Sequence, residues 1–270
     1  MSALNVGVIG CAGRMGRALL TAINEAQDSH LSGGTDVAKS GWLGRDIGEI
    51  LGCNPLGLII GDDPETLFAT SDAVVDFTAP QAVADHAQLA AKSGKAWILG
   101  TTGTDAGQDA AIVKAATQTA VVRAANMSVG VNLLVGLVRS AAAALNNEFD
   151  AEILEFHHKH KVDAPSGTAL ALGGAIATAR DQEHKHVSVF GRHGNTGKRR
   201  LGEIGYAVMR GGNVVGDHTV VFATEDERIE LTHRAGSRGI FARGALRAAH
   251  WAHNKPPGLY GMDDVLGLKG

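Results

Sequence analysis

The densest chemical signal in the chain is His157-His158-Lys159-His160-Lys161, three histidines and two lysines at consecutive positions. Imidazole exchanges protons near neutral pH, and an ammonium neutralises a carboxylate or donates a proton, so the cluster suits proton transfer on a small dianion. In an extended segment His157, Lys159 and Lys161 share one face while His158 and His160 share the other. A bend at a strand end would let both sets line one pocket. Shortly after, Ser166-Gly167-Thr168 opens an apolar helical run over 169–179, where helix-start N–H groups and a hydroxyl form a seat for an anion. A dicarboxylate would engage both halves. The same residues also read as a solvated basic edge followed by a capped helix. No metal is expected, because the His-x-His pattern has no accompanying Cys and the interleaved lysines repel a cation.

A second constellation lies near the start of the chain. Gly10-Cys11-Ala12-Gly13-Arg14-Met15-Gly16 separates a β-prone run at 4–10 from a helical run at 14–26, and its small residues let the backbone approach a pyrophosphate at a helix N-terminus. The G-x-x-G-x-x-G spacing differs from the commonest dinucleotide fingerprint, and glycines there also serve plain helix–strand packing. Asp36, 20 residues after Gly16, falls where a carboxylate at the end of a second strand accepts bonds from ribose hydroxyls. A carboxylate repels a 2′-phosphate, and Val37 follows it in place of an arginine. NADH is therefore the expected cofactor, with NADPH usable through Lys39 or Arg14. By topology the turns Phe77-Thr78 and Gly100-Thr101-Thr102-Gly103 belong to the same site, or are ordinary threonine-capped turns.

Strand-like runs at 72–77, 96–100 and 121–124 alternate with helical runs at 81–92 and 105–116, which predicts a doubly wound parallel sheet over residues 1–126. Beyond it, a long apolar helix (129–145) precedes strand-like runs at 151–158, 186–191, 204–210, 213–222 and 227–233. Strands in series predict a mostly antiparallel sheet in an α+β second domain. Helix returns at 241–252 and is expected to pack on the first domain; residues 191–205, rich in glycine and basic side chains, read as a mobile loop.

At 270 residues and 44% hydrophobic, the chain has enough apolar surface for a substantial core, and its net charge of −3 gives no global attraction to nucleic acid or to an anionic membrane surface. The uncharged stretch between Arg123 and Arg139 is 15 residues, short of the ~20 of a membrane helix. Two cysteines, Cys11 and Cys53, form no disulfide framework and fit a cytoplasmic location, and no targeting segment is visible.

The strings GCAGRMGR (10–17), DFTAP (76–80), GTTG (100–103), AANMSVGVN (124–132) and above all HHKHKVDAPSGTAL (157–170) resemble the signature segments of the dihydrodipicolinate reductase family, in order and spacing. The resemblance covers nearly the whole chain. It implies a Rossmann-type domain of residues 1–126 plus 239–270, and a substrate-binding and oligomerisation domain of 127–238 that forms a homotetramer. It also implies NAD(P)H-dependent reduction of 4-hydroxy-tetrahydrodipicolinate, a cyclic dicarboxylic imine, to tetrahydrodipicolinate in lysine and diaminopimelate biosynthesis. His157 corresponds to the acid/base residue and Lys161 to the proton donor, with substrate contacts at His158, Gly167 and Thr168. Cofactor contacts fall on Gly10, Cys11, Ala12, Gly13, Arg14, Met15, Asp36, Gly100, Thr101, Thr102, Ala124, Ala125, Asn126 and Met127. Two positions depart from the family pattern: Met127, often aromatic, and Ala79, where a basic residue is common. The other readings of the same motifs are an aspartate-dehydrogenase-like enzyme and a redox sensor without turnover.

Overall fold

The computed structural model describes residues 3–268. Along the chain run β1 (Leu4–Ile9), α1 (Arg14–Glu25), β2 (Ser29–Thr35), α2 (Ile47–Leu51), α3 (Pro64–Thr70), β3 (Ala73–Asp76), α4 (Val83–Ser93), β4 (Ala96–Leu99), α5 (Ala106–Ala116) and β5 (Ala120–Arg123). There follow α6 (Val129–Leu145), β6 (Asp150–His157), α7 (Gly167–Ala179), α8 (His184–Val187), β7 (Ser188–Val189), β8 (Ile204–Arg210), β9 (Asp217–Ala223), β10 (Arg228–Arg234), α9 (Gly239–Ala252), β11 (Gly258–Tyr260) and α10 (Met262–Leu266). Two compact units divide the chain: residues up to Val129 together with those from Arg238 onward, and Gly130–Ser237.

In the first unit six strands form one sheet in the order β11-β5-β4-β3-β1-β2, every pairing parallel. Successive side chains of a strand point to opposite faces, and here both faces are apolar. Ala73, Val75, Ala96, Ile98, Ala120 and Val122 pack against α1 and α9. Val74, Trp97, Leu99 and Val121 pack against α3, α4 and α5. A sheet buried on both faces is why these strands read as unbroken apolar runs. The helix expected over 241–252 spans Gly239–Ala252 and joins this core through Ala242, Ala245, Ala248 and Ala249.

In the second unit the order is β10-β9-β6-β8-β7. The pairs β6–β9 and β9–β10 are antiparallel, while β6–β8 and β7–β8 are parallel. The α+β architecture is as expected, but the sheet is mixed rather than mostly antiparallel. The reason is α7: it lies between β6 and β8 in sequence, and a strand–helix–strand crossover returns the chain in its original direction. Leu134 and Val138 of α6, Leu172 and Ile176 of α7, and Ile153, Val220 and Phe222 of the sheet form this unit's core. With the turn that follows it, α6 makes a 20-residue run, Val129–Glu148, within which 18 residues have a mean hydropathy of 1.5, apolar enough by length and composition to cross a bilayer. The 15-residue stretch seen in sequence is lengthened because Arg139 is the only charge before Glu148.

Three local expectations change. Residues 186–191 form the end of α8 and the two-residue β7 rather than one strand. The strand expected from 213 begins at Asp217, because the chain first turns through Gly212 at φ +52° and offers the Val214 carbonyl to the His158 N–H. The segment before β8 carries no regular structure, as expected, yet it is tied down: the Arg199 guanidinium bonds Asp150, Glu152 and the Ala151 and Glu203 carbonyls, and Arg192 pairs with Glu152.

Candidate active site

In the first unit the glycine-rich turn connects β1 to α1. Gly10 adopts φ +72°, the left-handed region that glycine enters without strain, and a Cβ on Gly16 would stand 2.1 Å from the Gly10 carbonyl oxygen. The N-terminal cap of α1 is Gly13, which has no side chain to satisfy the first helical N–H groups, and the first turn carries no acidic residue. The N–H groups at Arg14 and Met15 are therefore left for a ligand, and they point from the positive end of the helix. Gly10 and Cys11 do not offer theirs, since both donate to the Thr35 carbonyl at 2.8 and 3.0 Å. The Cys11 side chain is wholly buried and its thiol is pushed up to about 12 by burial and by nearby Asp36.

Asp36 follows β2, and its carboxylate accepts from the N–H groups of Ala12 (3.1 Å) and Val37 (2.8 Å). It lines a cavity of about 430 Å³ together with Gly10, Gly13, Asp62, Thr78 and Ala79. The cavity lies at the carboxyl ends of parallel strands, and its groups have the chemistry that could hold a dinucleotide: helix N–H groups suited to a pyrophosphate and a backbone-held carboxylate suited to a ribose. Thr101 donates its hydroxyl to the Thr78 carbonyl at 3.0 Å, joining the turns after β3 and β4. Thr101, Thr102 and Ala124–Met127 sit at the ends of β4 and β5 but do not line this cavity. Ala124 donates to the Leu99 carbonyl at 3.2 Å, and the Met127 side chain is buried in the core at 1% exposure.

In the second unit the inward face of β6 carries Ala151, Ile153, Glu155 and His157 in alternation; the first two belong to the core and the last two are buried polar groups. β6 ends at His157 and the chain turns back at once, with Lys161 N–H donating to the His158 carbonyl at 3.1 Å. This is the bend that lets the basic cluster surround one place rather than split across two faces. His157 Nδ1 lies directly against Glu155 Oε2. Glu155 Oε1 accepts from Arg210 at 2.9 Å and from Ser166 N–H at 3.1 Å. Burial pushes the Glu155 carboxyl up, but Arg210, His157 and the Ser166 N–H outweigh it and hold the group below its ordinary value. His157 is held below its ordinary value by burial and by the charges of Lys161 and Arg210, against the pull of Glu155. Its ring is therefore neutral at pH 7 while Glu155 is ionised.

Lys161 Nζ pairs with Asp163 at 2.8 Å and acts electrostatically on His157, whereas His160 is exposed. The helix start expected at Ser166-Gly167-Thr168 is observed, with Ser166 as the N-terminal cap of α7. The Ser166 hydroxyl is fully used: it accepts from Ala169 N–H at 3.2 Å, lies 3.0 Å from His218 Nε2, and is 2% exposed. That hydroxyl is consequently not available to an anion at this helix start.

Two family models divide the chain. "Dihydrodipicolinate reductase, N-terminus" matches residues 4–127 and "Dihydrodipicolinate reductase, C-terminus" matches 130–266. The chain belongs to the dihydrodipicolinate reductase family. Its relatives include the 4-hydroxy-tetrahydrodipicolinate reductases of Parvibaculum lavamentivorans, 51% identical over 267 residues with 98% of each chain covered, and Nitrosospira multiformis, 47% identical with both chains covered in full. Among solved structures, the dipicolinate-bound dihydrodipicolinate reductase from Paenisporosarcina sp. TG-14 is similar with a TM-score of 0.78 at 23% identity, over 98% of this chain and all of the other. An amine dehydrogenase from Mycobacterium smegmatis shares the fold at TM-score 0.64 and 11% identity, over 97% and 96% of the two chains.

Four polar residues of this dihydrodipicolinate reductase family member escape a linear reading. Arg210 and His218 reach Glu155 and His157 by strand pairing, with Arg210 in register with His157 and His218 opposite Glu155. Asp62 and His86 line the nucleotide cavity from separate loops and helices. Glu155, a fifth residue outside the expected site, has a local signal, since on a strand it must share a face with His157 two residues on.

Proposed function

We propose that the chain reduces 4-hydroxy-tetrahydrodipicolinate to tetrahydrodipicolinate with a nicotinamide cofactor, in lysine and diaminopimelate biosynthesis. The observation that carries this reading is the buried Glu155–His157 pair beside Lys161, next to the α7 helix start: proton-transfer groups and an anion seat in one unit. The reaction consumes the imine, NAD(P)H and a proton, and yields tetrahydrodipicolinate, NAD(P)⁺ and water. When bound, the cofactor supplies hydride from the nicotinamide C4. The chain's own residues bind and orient: Arg14 and Met15 N–H groups hold the pyrophosphate, and His158, Gly167 and Thr168 hold the two substrate carboxylates. Lys161 neutralises charge that develops on the substrate and gives a proton, and His157 exchanges protons as the acid/base. The remaining cofactor contacts are assigned to Gly10, Cys11, Ala12, Gly13, Gly100, Thr101, Thr102 and Ala124–Met127; with their N–H groups bonded to Thr35, Gly10 and Cys11 contribute close backbone approach rather than a donor, and Met127, its side chain buried, contributes its backbone.

The cofactor preference assigned is NADH, with NADPH usable. Asp36 and Asp62 both line the cavity assigned to the adenosine, and Val37, 70% exposed, offers no charge to a 2′-phosphate. Asp36→Ala is expected to weaken NADH by roughly 10- to 100-fold, the ~1.5–3 kcal/mol of a lost bond to a charged group, and NADPH much less. Dissociation constants for the two cofactors measure it; an unchanged ratio places Asp36 outside the ribose site. Self-association as a homotetramer through the second unit's sheet is assigned from its outer face, where Leu154 and Met209 are 38% and 49% exposed beside Phe156. The free thiols of Cys11 and Cys53 suit the reducing cytoplasm.

The dicarboxylate site has its own test. Pyridine-2,6-dicarboxylate, a rigid planar dianion, is expected to inhibit competitively with the imine because it meets both anion seats without an ordering cost. Thr168→Val keeps the shape and removes a hydroxyl donor, and is expected to lower its affinity by ~1.5–3 kcal/mol in calorimetry. Equal binding of pyridine-2-carboxylate, or an unaffected Thr168→Val, removes the two-seat arrangement.

A further inference from the structure

Glu155 is 1% exposed and belongs to no substrate contact assigned above. Its Oε1 takes two donors, the Arg210 guanidinium and the Ser166 N–H. Its Oε2 is buried with no hydrogen-bond partner other than the His157 Nδ1 against which it lies, and that Nδ1 is buried with no other partner either. On the opposite side of the ring, His157 Nε2 faces Gly216, where an added Cβ would stand only 2.9 Å from it. One nitrogen of the imidazole is sealed against a carboxylate, and the other is left open by a glycine.

We propose that Glu155 is the positioning residue that holds His157 as the Nδ1-protonated tautomer, so that Nε2 presents its lone pair to the reaction. This rests on the acid/base role given to His157 above. A carboxylate can only accept, so a neutral ring beside it must place its proton on Nδ1. The other charged and titratable groups around the ring are Lys161 on the turn, Arg210 on β8 and His218 on β9, whose ring centroid is 5.0 Å away. Lys161 and Arg210 are cations and cannot accept the proton, and His218 Nε2 is already paired with the Ser166 hydroxyl. The cluster of Glu155, His157 and His218, with ligand-type atoms within 4.8 Å of one another, could be taken for a metal site. Arg210 occupies the carboxylate from the other side and Lys161 adds a second positive charge, so the cluster serves the imidazole instead.

The same geometry dictates what Glu155→Gln does. Both neighbours of Oε1 are donors, so the amide must turn its oxygen toward Arg210 and Ser166 and its NH₂ toward His157. That NH₂ donates to Nδ1 and drives the ring proton to Nε2, where the lone pair is lost. An inverted tautomer in a carboxylate–histidine pair costs on the order of 10⁴ in a serine protease; at least about 10-fold in kcat is expected here, with NADH affinity unchanged.

The experiment is ¹⁵N NMR of the full chain labelled at histidine, His157 being assigned by the signal missing in His157→Ala, together with pH profiles of kcat/KM. The result expected is an Nδ1–H tautomer in the unmodified protein, Nε2–H in Glu155→Gln, and return of Nδ1–H in Glu155→Asp. The limb of the profile due to His157 should move to lower pH in Glu155→Gln, because the carboxylate that favours the imidazolium is gone. A purely structural role would leave tautomer and limb unmoved. An Nε2–H ring in the unmodified protein, or Nδ1–H retained in Glu155→Gln at any turnover, overturns the proposal. The unmodified spectrum decides even if Glu155→Gln fails to fold, and it needs no substrate, so it stands apart from whether the imine is the true substrate.

Discussion

Replacing Lys161 with alanine is expected to lower kcat by about 100- to 1000-fold while leaving the NADH dissociation constant nearly unchanged. The magnitude is that of one preorganised donor aimed at developing charge, ~2.7–4 kcal/mol of barrier. The separation of effects follows from where the groups lie: Lys161 is in the unit of the substrate helix start, and the glycine turn and Asp36 are in the other. Without substrate the ammonium is held by Asp163 at 2.8 Å, an exposed carboxylate whose hold is weak in water, so a substrate carboxylate can displace it. Steady-state kinetics and cofactor titration measure the two quantities separately. Turnover near that of the unmodified enzyme would remove Lys161 from the mechanism.

His157→Ala is expected to cost 100-fold or more, within the ~10²–10⁴ typical of a positioned acid/base, whereas His160→Ala should change kcat by no more than a few-fold. Sequence puts these two imidazoles three positions apart in one basic run; the structure separates them. His157 is 8% exposed and bound to Glu155, while His160 is exposed, with the tilted His158 ring 6.2 Å away. Equal losses in kcat from both substitutions would mean that the run acts as a diffuse positive field rather than through one placed ring.

What could be read in the sequence is what is local in it. The βα alternation of the first unit, the glycine turn, and the run from His157 to Thr168 each lie within a short stretch, and their elements form as the residue types require. β2, in contrast, is Ser-His-Leu-Ser-Gly-Gly-Thr, a composition with little strand preference, and it is a strand because it pairs with β1 at every position but Ser32. Arg210 and His218 were invisible as site residues because only the register of β8 and β9 against β6 brings them to Glu155 and His157. The mixed sheet was hidden for a related reason: periodicity identifies strands but not their direction, which here depends on α7 completing a crossover.

The reaction is tested by supplying the imine as it forms, from a synthase reaction in the same cuvette, and following loss of NADH and NADPH absorbance in parallel. Cofactor is expected to be consumed only while imine is being made, one equivalent per imine, with NADH saturating at the lower concentration. Tight NADH binding without any consumption, or consumption of NAD⁺ with aspartate in place of the imine reaction, would contradict it.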